Sequence, residues 1–322
     1  MFEFYLFKPF SLFVLYSGVI ADIVLGDRDR PWHPIRIMGA AISFSEKRAM
    51  AYGVNPLVSG IAMSVGLTIS VYLLIYVLVF ALGSVSLFLS LLFSGGCIYF
   101  SLCLRCLADE ATKVLNSLCK GDLAIARYRL SMLVSRDTQN MDKTNICRSL
   151  IETVSENLVD GIYSPFFYAM LGGPAMCMAF KMISSLDSMV GYRNTRYEQL
   201  GKAAAYMDDA ANYIPARLSA FVISVAGLLV NGSSPLKTVK GLMADARLHK
   251  SPNSGFPESA FAYTLDVRLG GPVMYEGVLH KLPYLNKGGR APDTEDVRRS
   301  IRLLYASAGL FYAIPVFLVI LI

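Results

Sequence analysis

Between Arg148 and Gly161 the chain reads RSLIETVSENLVDG, so a helix there would place Arg148, Glu152, Glu156 and Asp160 at i, i+4, i+8 and i+12 along one stripe. Carboxylates at that spacing repel each other unless a cation or paired bases sit among them. With Asn157 adjacent, the stripe suits Mg²⁺ bridging phosphate oxygens. The plainer alternative is a solvated acidic face neutralised by Arg148. A second oxygen-rich group is Asp208, Asp209 and Asn212, where Asp208 and Asn212 share a helical face and Ala203 to Ala205 leave room for a close neighbour. Against it stands an ordinary helix ending at Pro215 with exposed acids. Asp187, beside small residues, is a further candidate acid.

The stretch from Asp245 to Pro272, DARLHKSPNSGFPESAFAYTLDVRLGGP, carries the chemistry of an anion site. His249, Lys250, Ser251 and Asn253 supply donors ahead of Gly255, and Glu258 follows Pro257 at a helix start. Backbone N–H groups at such a start cradle anions, although the Pro and Gly residues also fit simple turns. Upstream, Asp22, Asp27, His33 and Arg36 follow the first apolar segment; Arg36 could grip a phosphate or carboxylate bidentately, or merely anchor a helix end. No GxxxxGK[ST], GxGxxG, HExxH or GxSxG motif is present.

These groups need a scaffold, and composition says what kind. Of 322 residues 54% are hydrophobic and 17% charged, against roughly 25% charged in soluble domains. That predicts an all-α, polytopic integral membrane bundle forming one domain over 1–322. A bilayer core asks for about 20 apolar residues of helix, and segments near 4–25, 57–82, 84–104 and 303–322 qualify, the middle two joined by a tight hairpin at Gly83-Ser84. Segments 162–180, broken by Gly172-Gly173-Pro174, and 216–230, which is short, read as broken or re-entrant helices. The first segment reads as a retained span rather than a cleaved signal, because no small-x-small site precedes Asp22. Polar blocks 26–56 and 105–160 lie on one side and are rich in Arg and Lys, Arg28 and Arg30 among them, so the positive-inside rule makes that side cytoplasmic. The cysteines, in or beside apolar or helical stretches, read as small apolar packing groups. Nucleic acid is excluded as a partner, since no Lys/Arg run exceeds two residues.

One family resemblance ties the motifs together. The set GDRDRPWHPIRIMG, SRDT (Ser135–Thr138), IETVSENLVDG, SPFFYAMLGGP, SSLDSMVGY, YMDDAANYIPARL and DARLHKSPNSGFPESAFAYTLDVRLGGPVMYEG resembles the adenosylcobinamide-phosphate synthase family of cobalamin biosynthesis. One departure is Ser184-Ser185, where the family pattern has Asn-Thr before Leu-Asp. The resemblance implies an ATP- and Mg²⁺-dependent ligase of the cell membrane. It would join the free carboxylate of adenosylcobyric acid to the amine of aminopropanol phosphate, or of a related substrate such as ethanolamine phosphate. Membrane attachment would keep the product near other late-pathway membrane enzymes. On this reading Glu152, Glu156, Asp160, Asp208 and Asp209 serve metal and nucleotide phosphates. Arg36, Arg217, His249, Lys250, Ser251 and Asn253 serve the anionic substrates, with His33, Asn157, Asn212 and Arg268 as further binding residues. Glu258 or Asp187 would be the base that deprotonates the attacking ammonium. The competing class is a membrane transporter of a corrinoid or another anionic solute, with acidic residues in broken helices as ion sites.

Overall fold

The computed structural model describes residues 5–8, 10–26, 32–51, 55–192 and 196–321. Asp27, Arg28 and Arg30, used above, lie outside the described residues. In chain order the helices are α1 (Ser11–Leu25), α2 (Pro34–Ala51), α3 (Pro56–Val85), α4 (Leu87–Tyr99), α5 (Leu104–Cys119), α6 (Leu123–Ser131) and α7 (Lys143–Leu158). A π-helical turn over Val159–Tyr163 leads into α8 (Ser164–Val190), α9 (Lys202–Asn231), α10 (Pro235–Asp245) and α11 (Gly255–Leu265). Strands β1 (Leu269–Tyr275) and β2 (Val278–Leu285) precede α12 (Thr294–Leu321). Among the described residues five helical stretches are long and apolar enough to cross a membrane: Pro56–Val85, Leu87–Cys119, Lys143–Val190, Lys202–Asn231 and Thr294–Leu321. The protein is therefore a multi-pass, essentially all-α membrane protein.

Several expected boundaries move. The first span does not start near residue 4, because Phe10 is left-handed (φ 61°) and α1 begins only at Ser11. Its 15 residues reach only about 22 Å at 1.5 Å per residue, short of the roughly 30 Å hydrocarbon core. The α3–α4 turn forms at the extended Ser86, not at Gly83-Ser84. Segment 162–180 is broken as expected: Gly173 takes φ 68°, ψ −157° inside α8. Segment 216–230 is not short, because α9 runs unbroken from Lys202 to Asn231 with Pro215 inside it.

The chain divides into two compact units. The first comprises Met1–Cys103, Asp160–Asn212 and Ile314–Ile322. Its core is built by Met38 and Ile42 from α2, Met63 and Ile75 from α3, Cys97 from α4, and Met178, Met182, Leu186 and Val190 from α8. Small residues bring the backbones close: a Cβ on Gly60 would lie 2.0 Å from the Leu200 carbonyl oxygen, the close approach that membrane helices favour. The outer side of α3 exposes Leu73, Leu74, Tyr76 and Phe80, a surface suited to lipid.

The second unit comprises Leu104–Val159 and Tyr213–Ala313. Asp122 and Asp142 start α6 and α7 by accepting the N–H groups of Ile125 (3.0 Å) and Asn145 (2.7 Å). Here the structure adds a β-hairpin where helices and loops were expected. Glu276 and Gly277 both take positive φ (49° and 76°), the geometry of a two-residue primed turn. Gly270-Gly271-Pro272 is not a break but a register shift within β1, both glycines being left-handed (φ 73° and 85°). The start of α12 is fixed by the fully buried Asp296, which accepts two Arg290 bonds at 2.5 and 2.6 Å.

Candidate functional site

The second unit gathers the polar groups that matter most. On α7, Glu152 and Glu156 stand one turn apart. Glu152 is buried, and both its oxygens are engaged: Oε2 accepts from Arg136 Nη1 at 2.5 Å and Oε1 accepts from the Gly270 N–H at 2.7 Å. Arg136 also donates to Ser149 Oγ at 3.2 Å. The left-handed Gly270 is what lets β1 bring its N–H there; a Cβ would meet the Pro283 carbonyl oxygen at 2.3 Å.

From Glu156 a chain of bonds runs to Glu258. Ser254 Oγ donates to Glu156 Oε1 at 3.0 Å, and the Ser254 and Asn253 N–H groups both donate to Ser251 Oγ at 3.2 Å. The Ser251 N–H donates to His249 Nδ1 at 3.1 Å. The other ring nitrogen, Nε2, stands 3.5 Å from Glu258 Oε1. Glu258 is held by α11 in an almost fully buried position. Burial first, and then the carboxylates of Glu152 and Glu156, push its pKa well above the ordinary glutamate range, while Arg136 pulls it down. A buried carboxyl whose proton affinity is raised in this way is suited to taking up a proton.

Beside this cluster a cleft of about 590 Å³ is lined by Arg217, Arg247, His249, Lys250, Ser251 and Phe256, among others. The Arg217 guanidinium lies 3.3 Å from the Tyr213 ring centre and 4.4 Å from that of Phe256. It also donates to the Tyr213 carbonyl at 2.6 Å and to Asn253 Oδ1 at 3.3 Å. A stacked, tethered guanidinium loses little freedom on gripping an anion. Several cationic side chains around one partly apolar opening give this cleft an excess of positive charge.

The predicted residues thus separate. Glu152, Glu156, Arg217, His249, Lys250, Ser251, Asn253 and Glu258 come together in this unit. Asp160 leaves the stripe, because the π-turn at Val159–Tyr163 ends the α-helical register after Leu158. Asn157 turns back on its own helix and donates to the Thr153 carbonyl at 2.9 Å. Arg268 stacks over the Tyr284 ring at 4.9 Å, on the hairpin.

The remaining residues belong to the first unit. There His33 is buried, accepts the Ile35 N–H at 3.3 Å and packs edge-on against Phe100, which gives it a helix-starting role. Arg36 is exposed on α2, and Asp187 lies near the end of α8, where its carbonyl accepts the Gly191 N–H at 2.8 Å. Asn212 is buried between Ser164, whose hydroxyl donates to its Oδ1, and Asp208, whose Oδ2 accepts from its Nδ2 at 2.9 Å. The acids Asp208 and Asp209 are half-buried on α9, mid-helix rather than at a helix end ahead of Pro215.

Sequence reasoning missed Arg136, Arg247, Ser254 and the Gly270 N–H. Arg136 and Ser254 lay inside the quoted SRDT and SPNSG motifs but were read only as charge and turn. A Mg²⁺ ion fits the site in one respect: among the described residues no Arg or Lys forms an ion pair with Glu156 or Glu258, and a cation near them would relieve their repulsion. Among the described residues, however, no three His, Cys, Asp or Glu side chains already converge as a metal site, and Glu152 is committed to Arg136 and Gly270.

Comparison with known proteins gives a consistent outcome. Residues 15–304 match the family model described as CobD/Cbib protein. The chain is 40% identical over 296 residues to a "Cobalamin biosynthesis protein CobD" of Pelobacter propionicus, covering 91% of each chain. Similar relatives with the same description occur in Yersinia enterocolitica (39%; 91% of this chain, 93% of the relative) and Klebsiella pneumoniae (36%; 92% and 93%). No solved structure matches.

Proposed function

This chain belongs to the CobD/Cbib protein family of cobalamin biosynthesis, and from that premise we propose that it is adenosylcobinamide-phosphate synthase. In this reaction the free carboxylate of adenosylcobyric acid is condensed with the amine of aminopropanol phosphate, or of a related amino-alcohol phosphate such as ethanolamine phosphate, at the expense of ATP. The observation that carries this reading is the buried Glu258, its proton affinity raised by Glu152 and Glu156, next to a cationic cleft.

An amide does not form from a carboxylate and an ammonium ion without activation. ATP would transfer its terminal phosphoryl group to the carboxylate, giving an acyl phosphate and ADP. The amine then attacks the acyl carbon, phosphate leaves, and the amine gives up a proton. Glu258 is the group we assign to that proton, because a carboxylate with a raised pKa is the stronger base. His249, whose Nε2 stands 3.5 Å from Glu258 Oε1, can orient that carboxyl. Arg217, Arg247 and Lys250 would hold phosphate groups and keep the reacting ends together. When bound, Mg²⁺ would be held through Glu156 and would neutralise phosphoryl charge. We place the site on the cytoplasmic face of the cell membrane, where ATP is available and where the positive-inside rule puts the basic blocks.

The test is a reaction of purified protein in nanodiscs with adenosylcobyric acid, aminopropanol phosphate, ATP and Mg²⁺, read by mass spectrometry. The expected result is an ATP-dependent amide product. Tight corrinoid binding with no product under any nucleotide condition would replace the synthase by a corrinoid carrier.

A further inference from the structure

A second cleft, of about 490 Å³, lies in the same unit between the loop before α7, the first turns of α7 and the hairpin; Asp137, Gln139, Asn140, Asn145, Arg148 and Glu276 are on its wall. We propose that this cleft is a subsite for neutral primary carboxamides, taking the amide-bearing rim of the large carboxylate substrate. The proposal rests on the synthase reading above and names which part of the molecule contacts which substrate.

Position comes first. Arg148 precedes Glu152 by one turn of α7, a rise of about 6 Å. Strand β1 holds both residues: Arg148 Nη2 donates to the Pro272 carbonyl at 3.2 Å, while Gly270 donates to Glu152 at 2.7 Å. His249 belongs both to the cationic cleft and to the pair with Glu258. The carboxylate cluster is thereby bracketed, with the cationic cleft meeting it at His249 and the second cleft meeting it at Arg148. A reaction that joins two molecules needs such a bracket.

Charge then separates the two clefts. Arg217, Arg247 and Lys250 give the first an excess of positive charge, which suits phosphate. In the second, Arg148 is the cation among the residues named, and Asp137 and Glu276 oppose it. Asp137 is also pinned there, its Oδ2 accepting the Gly277 N–H at 2.7 Å. A phosphate or a row of carboxylates would meet no surplus cation. A neutral, strongly hydrogen-bonding group would meet a suitable wall.

The hydrogen-bonding inventory selects the group. Arg148 Nε is buried and has no acceptor among the described residues, a state that calls for a carbonyl oxygen or water. Gln139, Asn140 and Asn145 each bring an amide with both donors and an acceptor, and primary carboxamides answer both in kind. The cleft is smaller than a whole corrin, so it would seat a rim and leave the macrocycle outside.

The experiment is equilibrium binding of cobyric acid, without nucleotide, to the full chain in nanodiscs, followed by corrin absorbance. The double variant Gln139→Leu/Asn140→Leu changes two exposed side chains, so it should fold normally. It should bind cobyric acid about ten-fold more weakly or worse and still bind ATP like the wild type. Arg148→Lys, which keeps the charge but loses the Nε donor, should weaken corrinoid binding several-fold. Cobyrinic acid, in which carboxylates replace the carboxamides, should bind the wild type at least ten-fold less well than cobyric acid. Equal cobyric acid affinity of wild type and both variants would overturn the subsite and leave the synthase reading standing. Absence of any corrinoid binding by the wild type would overturn both.

Discussion

The two units treat buried polar groups in opposite ways. In the first, Ser164, Asn212 and Asp208 form a relay in which the hydroxyl satisfies the amide oxygen and the amide nitrogen satisfies the carboxylate. In apolar surroundings such a relay offsets the cost of burying the atoms it pairs. In the second unit three glutamates share one small region, with Arg136 paired to Glu152 and, among the described residues, His249 as the ion-pair partner of Glu258. The first arrangement holds helices together. The second crowds carboxylates beyond the one that Arg136 pairs, which raises the proton affinity of Glu258 and leaves room for a cationic or proton-donating ligand.

The sharpest way to break this contrast is Glu258→Gln. If Glu258 is the base, the change should reduce amide formation at least about 100-fold without unfolding the protein, since a neutral amide fits the site better than a charge. The pH dependence gives an independent check. Glu258 binds its proton more tightly in the folded than in the unfolded chain. Stability should therefore fall as pH rises from the ordinary glutamate range through its raised pKa, and level off above it. That decline should vanish from thermal melts of Glu258→Gln. A melting profile with the same pH slope in both proteins would remove Glu258 from the role.

Arg136→Met tests the other half of the cluster. It strands Glu152, which is 4% exposed, and removes the one cation that lowers the proton affinity of Glu258. A loss of about 3–5 kcal/mol is expected for an orphaned buried charge, measured by denaturant melts in detergent. Adding Glu152→Gln should recover much of it, because the pair is then removed as a unit. Failure of the double variant to recover would mean that Arg136 acts through Ser149 and not through Glu152.

How much of this could be read beforehand follows from range in the chain. The break in α8 was legible, because Gly172-Gly173-Pro174 is a local signal and Gly173 needs its left-handed φ. The pairing of Glu152 with Glu156 was legible from the i, i+4 spacing. The stripe failed one turn later, where a π-turn with no plain composition signal carried Asp160 off register. The partners of Glu152 were out of reach, since Arg136 and Gly270 lie 16 and 118 residues away and only tertiary packing selects them. The hairpin was partly signalled by Glu276-Gly277 between apolar runs, but Pro272 and the double glycine read more readily as a break than as a strand with a bulge.

Arg217→Lys sharpens the cationic cleft. It preserves the charge and removes both the planar stack on Tyr213 and Phe256 and the fork toward Asn253. Arginine and lysine differ at such sites in geometry more than in charge. The expected effect is about a ten-fold rise in KM for the amino-alcohol phosphate with kcat little changed. A fall in kcat alone would put Arg217 at the reacting atoms instead.

The smallest effect on chemistry is expected from Ser164→Ala, and it tests the quiet side of the comparison. The hydroxyl of Ser164 is fully buried and donates to Asn212 Oδ1. Removing it leaves that oxygen without its donor inside an apolar bundle, a cost of about 1–3 kcal/mol, visible as a lower melting temperature. Because Asn212 still donates to Asp208, the relay is shortened and not abolished. Activity per folded molecule should match the wild type, and the pH dependence of stability should keep its Glu258 slope. A selective loss of turnover with unchanged stability would show that the relay in the first unit also handles a reacting group, and the division between structural and chemical polar clusters would have to be withdrawn.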